Sequence, residues 1–165
     1  MSRDPMRPGA LRRLTEGEIA LAKGVFGRAL SAGRVRILAL PVWPRAFVTG
    51  ASLIVWPARS ALRDFSLADL SLQAILVHEL THVWQAQTGV NLLLAKLRAG
   101  DGPAAYDYIA AGGTPFVDLN IEQQAMMVQD AFLAARNGVA PLALERYADL
   151  LSGTPFSEDL EPFSV

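Results

Sequence analysis

Ser71-Leu72-Gln73-Ala74-Ile75-Leu76-Val77-His78-Glu79-Leu80-Thr81-His82-Val83-Trp84-Gln85-Ala86-Gln87 is the stretch on which the reading of this chain turns. On a helical wheel, Leu72, Leu76, Val77, Leu80, Val83 and Trp84 form an apolar side, while His78, Thr81, His82 and Gln85 fall on a more polar one. The pattern predicts one long helix, stopped at Gly89, that packs on the core with one side and offers its histidines with the other. The chain has 2 histidines, and both lie here, four positions apart. Residues at that spacing stand one above the other on a helix, so both imidazoles can reach a single metal ion.

Zinc takes neutral imidazole nitrogens readily, and a catalytic zinc site keeps one position for water. Glu79, beside the first histidine, is where a general base for that water belongs. His78-Glu79-Leu80-Thr81-His82 is thus the H-E-x-x-H signature of zinc metallopeptidases. Two histidines do not complete a zinc site. With no third histidine and no cysteine, the missing ligand must be a carboxylate. Glu122 is the first candidate: it opens a predicted helix, Ile121 to Arg136, and Ala125 one turn later lets two helices approach closely. Asp118, in the preceding loop, is the alternative. Tyr106 and Tyr108 are candidates to donate a phenolic O–H to the oxyanion that forms on attack, and Asp130 to orient a ligand histidine.

Working outward, Met1 to Arg13 carries four arginines among prolines and glycine and reads as a flexible arm over residues 1–13. Thr15-Glu16-Gly17-Glu18 has capping-box spacing, and the apolar residues from Ile19 to Leu30 predict a helix, with Gly33 as its stop. Arg34 to Leu38, Phe47 to Thr49 and Leu53 to Trp56 read as three short strands. Leu53 to Trp56 is the expected edge strand, placed to hold an extended substrate by β-addition. A short helix from Val90 to Ala99, an irregular loop from Gly100 to Thr114 and a last helix from Pro141 to Leu151 complete the domain at residues 14–151. Residues 152–165 read as a loosely held tail.

At 165 residues one domain is expected, large enough to bury roughly 70% of its unfolded surface. A net charge of −1 gives no electrostatic case for nucleic acid or an anionic membrane. The absence of cysteine excludes disulfides and thiolate ligands but leaves the compartment open. No run reaches the roughly 18 apolar residues of a membrane span, and no apolar core of a Sec signal follows the arginines. The expected location is the cytoplasm, or outside it by a route that does not read such a signal.

The segments Leu76-Val77-His78-Glu79-Leu80-Thr81-His82-Val83-Trp84-Gln85 and Pro115-Phe116-Val117-Asp118-Leu119-Asn120-Ile121-Glu122-Gln123-Gln124-Ala125 resemble the zincin-like metallopeptidase domains of Vgr-related and Rhs-type secretion proteins. Those are similar in turn to the DUF4157 domain found beside extracellular contractile injection systems. Thr15 to Gly27 and Tyr106-Asp107-Tyr108 fit the same likeness, which covers roughly residues 14 to 137. The resemblance implies a compact zincin-like fold, zinc, and a link to a bacterial secretion apparatus.

The expectation is therefore an α+β, zincin-like domain with a three-stranded sheet on the motif helix. It would bind one Zn2+ through His78, His82 and Glu122, and hydrolyse a peptide or protein substrate with Glu79 as base through a zinc-activated water. The alternative is a non-catalytic, zinc-stabilised structural or cargo-associated component of a secretion system.

Overall fold

The computed structural model describes residues 4–156, along which run β1 (Leu11–Arg13), α1 (Glu16–Phe26), β2 (Arg36–Leu40), β3 (Phe47–Thr49), β4 (Leu53–Pro57), α2 (Leu70–Gln87), α3 (Leu92–Ala99), α4 (Ile121–Ala135) and α5 (Leu144–Leu150). The architecture is α+β. One four-stranded sheet has the order β1-β2-β4-β3, with β2 and β4 parallel and the two outer pairs antiparallel. Its inner face, carrying Ile37, Ala39, Ile54 and Trp56, is fully buried with the helices.

The fourth strand comes from the segment expected to be a flexible arm. Leu11, Arg12 and Arg13 pair with Leu38, Ile37 and Arg36. Pro5 bridges to Leu62, and Met6 is buried in the core. The physical reason is Arg12, whose guanidinium forks onto both oxygens of Glu18 at 2.7 Å each and also donates to the Leu62 carbonyl. Residues 1–3 of the expected arm lie outside the described residues. The expected loose tail is corrected in the same way as far as Phe156, whose ring packs against Phe26, Trp84 and Phe116 with centroids 4.9 to 5.5 Å apart. Residues 157–165 lie outside the described residues.

β4 is not an edge. It lies between β2 and β3, so its backbone is paired on both sides and is not free for β-addition; the edges are β1 and β3. Its apolar run is the mark of a strand covered on both faces. β2 starts two residues later than expected, because residues 32–34 are taken up by a 3-10 turn.

Local chemistry sets the helix ends. Thr15 accepts from the Glu18 N–H, and Glu18 accepts from the Thr15 N–H, closing the capping box of α1. The helix ends at Phe26, four residues short of Leu30, because Gly27 takes φ 50°, a conformation that disfavours a Cβ. Asp69 caps α2, and Asn120 with Gln123 forms a second capping box on α4. α2 is buried on nearly all sides through its middle, so the expected exposed histidine side is instead roofed by α4. Ala125, fully buried, has the small side chain that this close approach needs. Among the described residues no helix is long and apolar enough to cross a membrane.

Candidate metal centre

Two helices and their caps build the centre. α2 presents His78 and His82 one turn apart, with ring centroids 4.9 Å from each other and planes at 81°. α4 presents Glu122 in its first turn, where the Asn120 side chain accepts from the Glu122 and Gln123 N–H groups and fixes the start of the helix. Glu122 Oε2 stands 3.4 Å from His78 Nε2 and 3.4 Å from His82 Nε2. One ligand atom from each of the three residues lies within 4.8 Å of the others.

That spacing is long for a good hydrogen bond, yet all three groups are almost wholly buried. Ligands about 2.0–2.2 Å from a tetrahedral zinc stand roughly 3.3–3.6 Å apart, a range that both carboxylate–imidazole distances meet. The donor set of the cluster, two imidazole nitrogens and one carboxylate oxygen, is also one that zinc accepts. Asp118 is exposed on the turn before α4 and outside the cluster.

The surroundings orient these side chains. Gln85 Nε2 donates to the Ile121 carbonyl and to Gln124 Oε1. A backbone carbonyl can only accept, which fixes the amide and turns Gln85 Oε1 toward His82 Nδ1, 2.8 Å away. His82 therefore carries its proton on Nδ1 and presents the Nε2 lone pair to the cluster. The burial of His82 pushes its pKa down, but the carboxylates of Glu122 and Glu79 outweigh that and leave it raised. Burial likewise works against the Glu122 carboxylate, yet the imidazoles of His78 and His82 and the Lys96 ammonium beside it hold its pKa far below the usual range.

Glu79 differs from its neighbours. It is buried, and Oε2 has no hydrogen-bond partner. Burial raises its pKa, with the two histidines opposing. His78 Nδ1 is the other buried atom without a partner among the described residues. Asp130, expected to orient a histidine, accepts at Oδ2 from the Tyr108 hydroxyl at 2.7 Å; burial raises its pKa, with that hydrogen bond and the charge of His78 opposing.

Tyr108, one of the two candidate oxyanion donors, is buried. Its hydroxyl is shared between Asp130 and the Tyr147 hydroxyl, both at 2.7 Å, and burial followed by these two partners raises its pKa. Tyr106 reaches the centre only through Lys96, from which its hydroxyl accepts at 2.9 Å. Lys96 Nζ donates to Glu122 Oε1 at 2.7 Å.

Against known proteins, the chain is 35% identical over 156 residues to the type VI secretion system spike protein VgrG2b of Pseudomonas aeruginosa. That match takes in 87% of this chain and 15% of the spike protein, so the chain spans a small part of its relative's length. The solved effector domain of Pseudomonas aeruginosa VgrG2b is 32% identical, with a TM-score of 0.65 over 91% of this chain and 87% of that one. The chain belongs to the VgrG2b effector-domain family. The Vgr-related side of the expected resemblance is thereby met. No protein-family model matches the chain, so none supports the likeness to DUF4157.

Sequence reading missed two residues of this effector-domain centre. Gln85 had a signal, since it follows His82 by three positions on the same helical side. Lys96 had none, because it reaches Glu122 across 26 residues from a helix with no motif.

Proposed function

We propose that this chain is a zinc-dependent peptidase domain of a type VI secretion effector, with His78, His82 and Glu122 as metal ligands and Glu79 as general base. The observation that carries the reading is the meeting of His78, His82 and Glu122, with one ligand atom of each within 4.8 Å of the others and both imidazoles 3.4 Å from Glu122 Oε2. Zinc held there would act as a Lewis acid and bring the pKa of a coordinated water toward about 7. Glu79 has the free carboxylate oxygen that proton transfer needs, in a buried setting that raises its basicity. It takes a proton from the attacking water and returns it to the leaving amine, while Gln85 keeps His82 in the tautomer that binds through Nε2. Membership of the VgrG2b effector-domain family supports the secretion link and secretion-system components as partners; a peptide or protein as substrate rests on the H-E-x-x-H motif.

Zinc content of tag-free protein tests the ligands: about one zinc per chain is expected, lost in Glu122→Ala. Glu79→Gln should retain the zinc and lose about 10²–10⁴-fold in peptide hydrolysis. Wild-type turnover in that variant would sink the mechanism.

A second reading, a non-catalytic zinc that stabilises a structural or cargo-associated component, is favoured by the burial of the cluster between α2 and α4. Chelation separates the two, because removing a structural zinc unfolds the domain, whereas the peptidase reading expects folded apoprotein.

A further inference from the structure

Lys96 lies on α3, a helix with no buried residue. Leu93 and Leu97 on the same helix are 74% and 73% exposed. Lysine on such an element ordinarily keeps its strongly hydrated head in water while its stem lies along the surface. Here the head is drawn in and all three of its donors have partners: Glu122 Oε1 at 2.7 Å, the Tyr106 hydroxyl at 2.9 Å and Asp101 Oδ1 at 3.2 Å. The Tyr106 ring adds a cation–π contact, with Nζ 5.1 Å from its centroid.

The consequence falls on Glu122. Its two oxygens are divided, Oε1 facing Lys96 and Oε2 facing both histidines. A carboxylate with both oxygens free can bind a metal through either or both. One whose second oxygen holds a short, charge-assisted hydrogen bond is confined to one. Resting on the zinc reading above, we infer that Lys96 is a positioning residue for the metal centre: it occupies Glu122 Oε1 so that the carboxylate meets the ion through Oε2 alone. This keeps the coordination number low and leaves a position for water. Through Tyr106 and Asp101 the same ammonium ties the loop after α3 to that ligand.

The test uses the full chain without a tag, loaded with Co2+ alone as a spectroscopic probe, and measures Zn2+ affinity by competition with a chromophoric chelator. Wild type and Lys96→Arg should show the intense visible absorption of four-coordinate cobalt. Lys96→Met should be dimmer, as the released Oε1 raises the coordination number, and should bind zinc about 10- to 100-fold more weakly. Tyr106→Phe should shift both readouts in the same direction by less. A merely structural ion pair changes melting temperature and leaves the cobalt spectrum alone. Folded Lys96→Met with the wild-type spectrum and affinity overturns the inference while the metal reading stands. Wild type that takes up neither ion overturns both.

Discussion

Two buried glutamates, Glu18 and Glu79, occupy opposite situations in this domain. Glu18 is fully buried and has every neighbour a carboxylate could want. Oε1 accepts from Arg12 Nη2 and the Phe65 N–H, and Oε2 accepts from Arg12 Nη1 and the Thr15 N–H. Glu79 is nearly as buried, with one oxygen left without a partner. Buried polar groups are ordinarily satisfied, and the exceptions gather where chemistry is done. The contrast separates a carboxylate that holds the fold together from one that, on the proposed function, is kept for proton transfer.

The contrast predicts opposite responses to the same substitution. In metal-free protein, Glu18→Gln should cost about 3–5 kcal/mol, because it leaves the mostly buried Arg12 guanidinium without its counter-charge. Glu79→Gln should leave stability within about 0.5 kcal/mol of wild type or raise it, since it removes a charge that burial disfavours. Denaturant midpoints with unchanged m-values measure both. Equal losses would break the comparison and make Glu79 another structural carboxylate.

The two histidines sharpen it at a smaller scale. His82 Nδ1 is held by Gln85, whereas His78 Nδ1 has no partner. Gln85→Leu should therefore weaken zinc binding about 10- to 100-fold, as removal of a residue that orients a ligand does. Chelator competition measures this. Unchanged affinity would show that His82 needs no help to present Nε2.

The same contrast explains how much of the molecule was legible in its sequence. The metal-binding candidates were readable because His78 and His82 lie within one helical turn, and Glu122 opens a helix whose cap, Asn120, is adjacent. Local spacing carried that information. The α+β class followed from the alternation of short strand and long helix patterns in the same way. What escaped depends on distant pairs. Arg12 looked like part of a basic tail, because Leu62 and Phe65, which complete its junction with Glu18, are about fifty residues away. The unbroken run Leu53-Ile54-Val55-Trp56 did carry a local sign of an interior strand, in that it lacks polar alternation. The all-round burial of α2 was hidden because its histidine side is polar, and only α4 closing over it makes that side interior. Tyr108 is a similar case: Tyr147 and Asp130, which engage its hydroxyl, lie far along the chain.

The smallest expected effect separates two jobs that meet at Glu18. Thr15 Oγ1 accepts only the Glu18 N–H, at 3.1 Å, while the reciprocal bond from the Thr15 N–H to Glu18 Oε2 uses backbone that any residue but proline provides. Thr15→Ala therefore deletes half of the capping box and leaves the Arg12–Glu18 ion pair and the Phe65 contact in place. Its cost should be about 1 kcal/mol, that of a lost helix cap, again read from the denaturant midpoint. The cap and the ion pair share one carboxylate, so the combined Thr15→Ala and Glu18→Gln protein should lose less than the two single losses added together. If Thr15→Ala alone cost as much as Glu18→Gln, helix capping and not the buried charge pair would be what Glu18 contributes. Its contrast with Glu79 would then reduce to a difference in position along a helix.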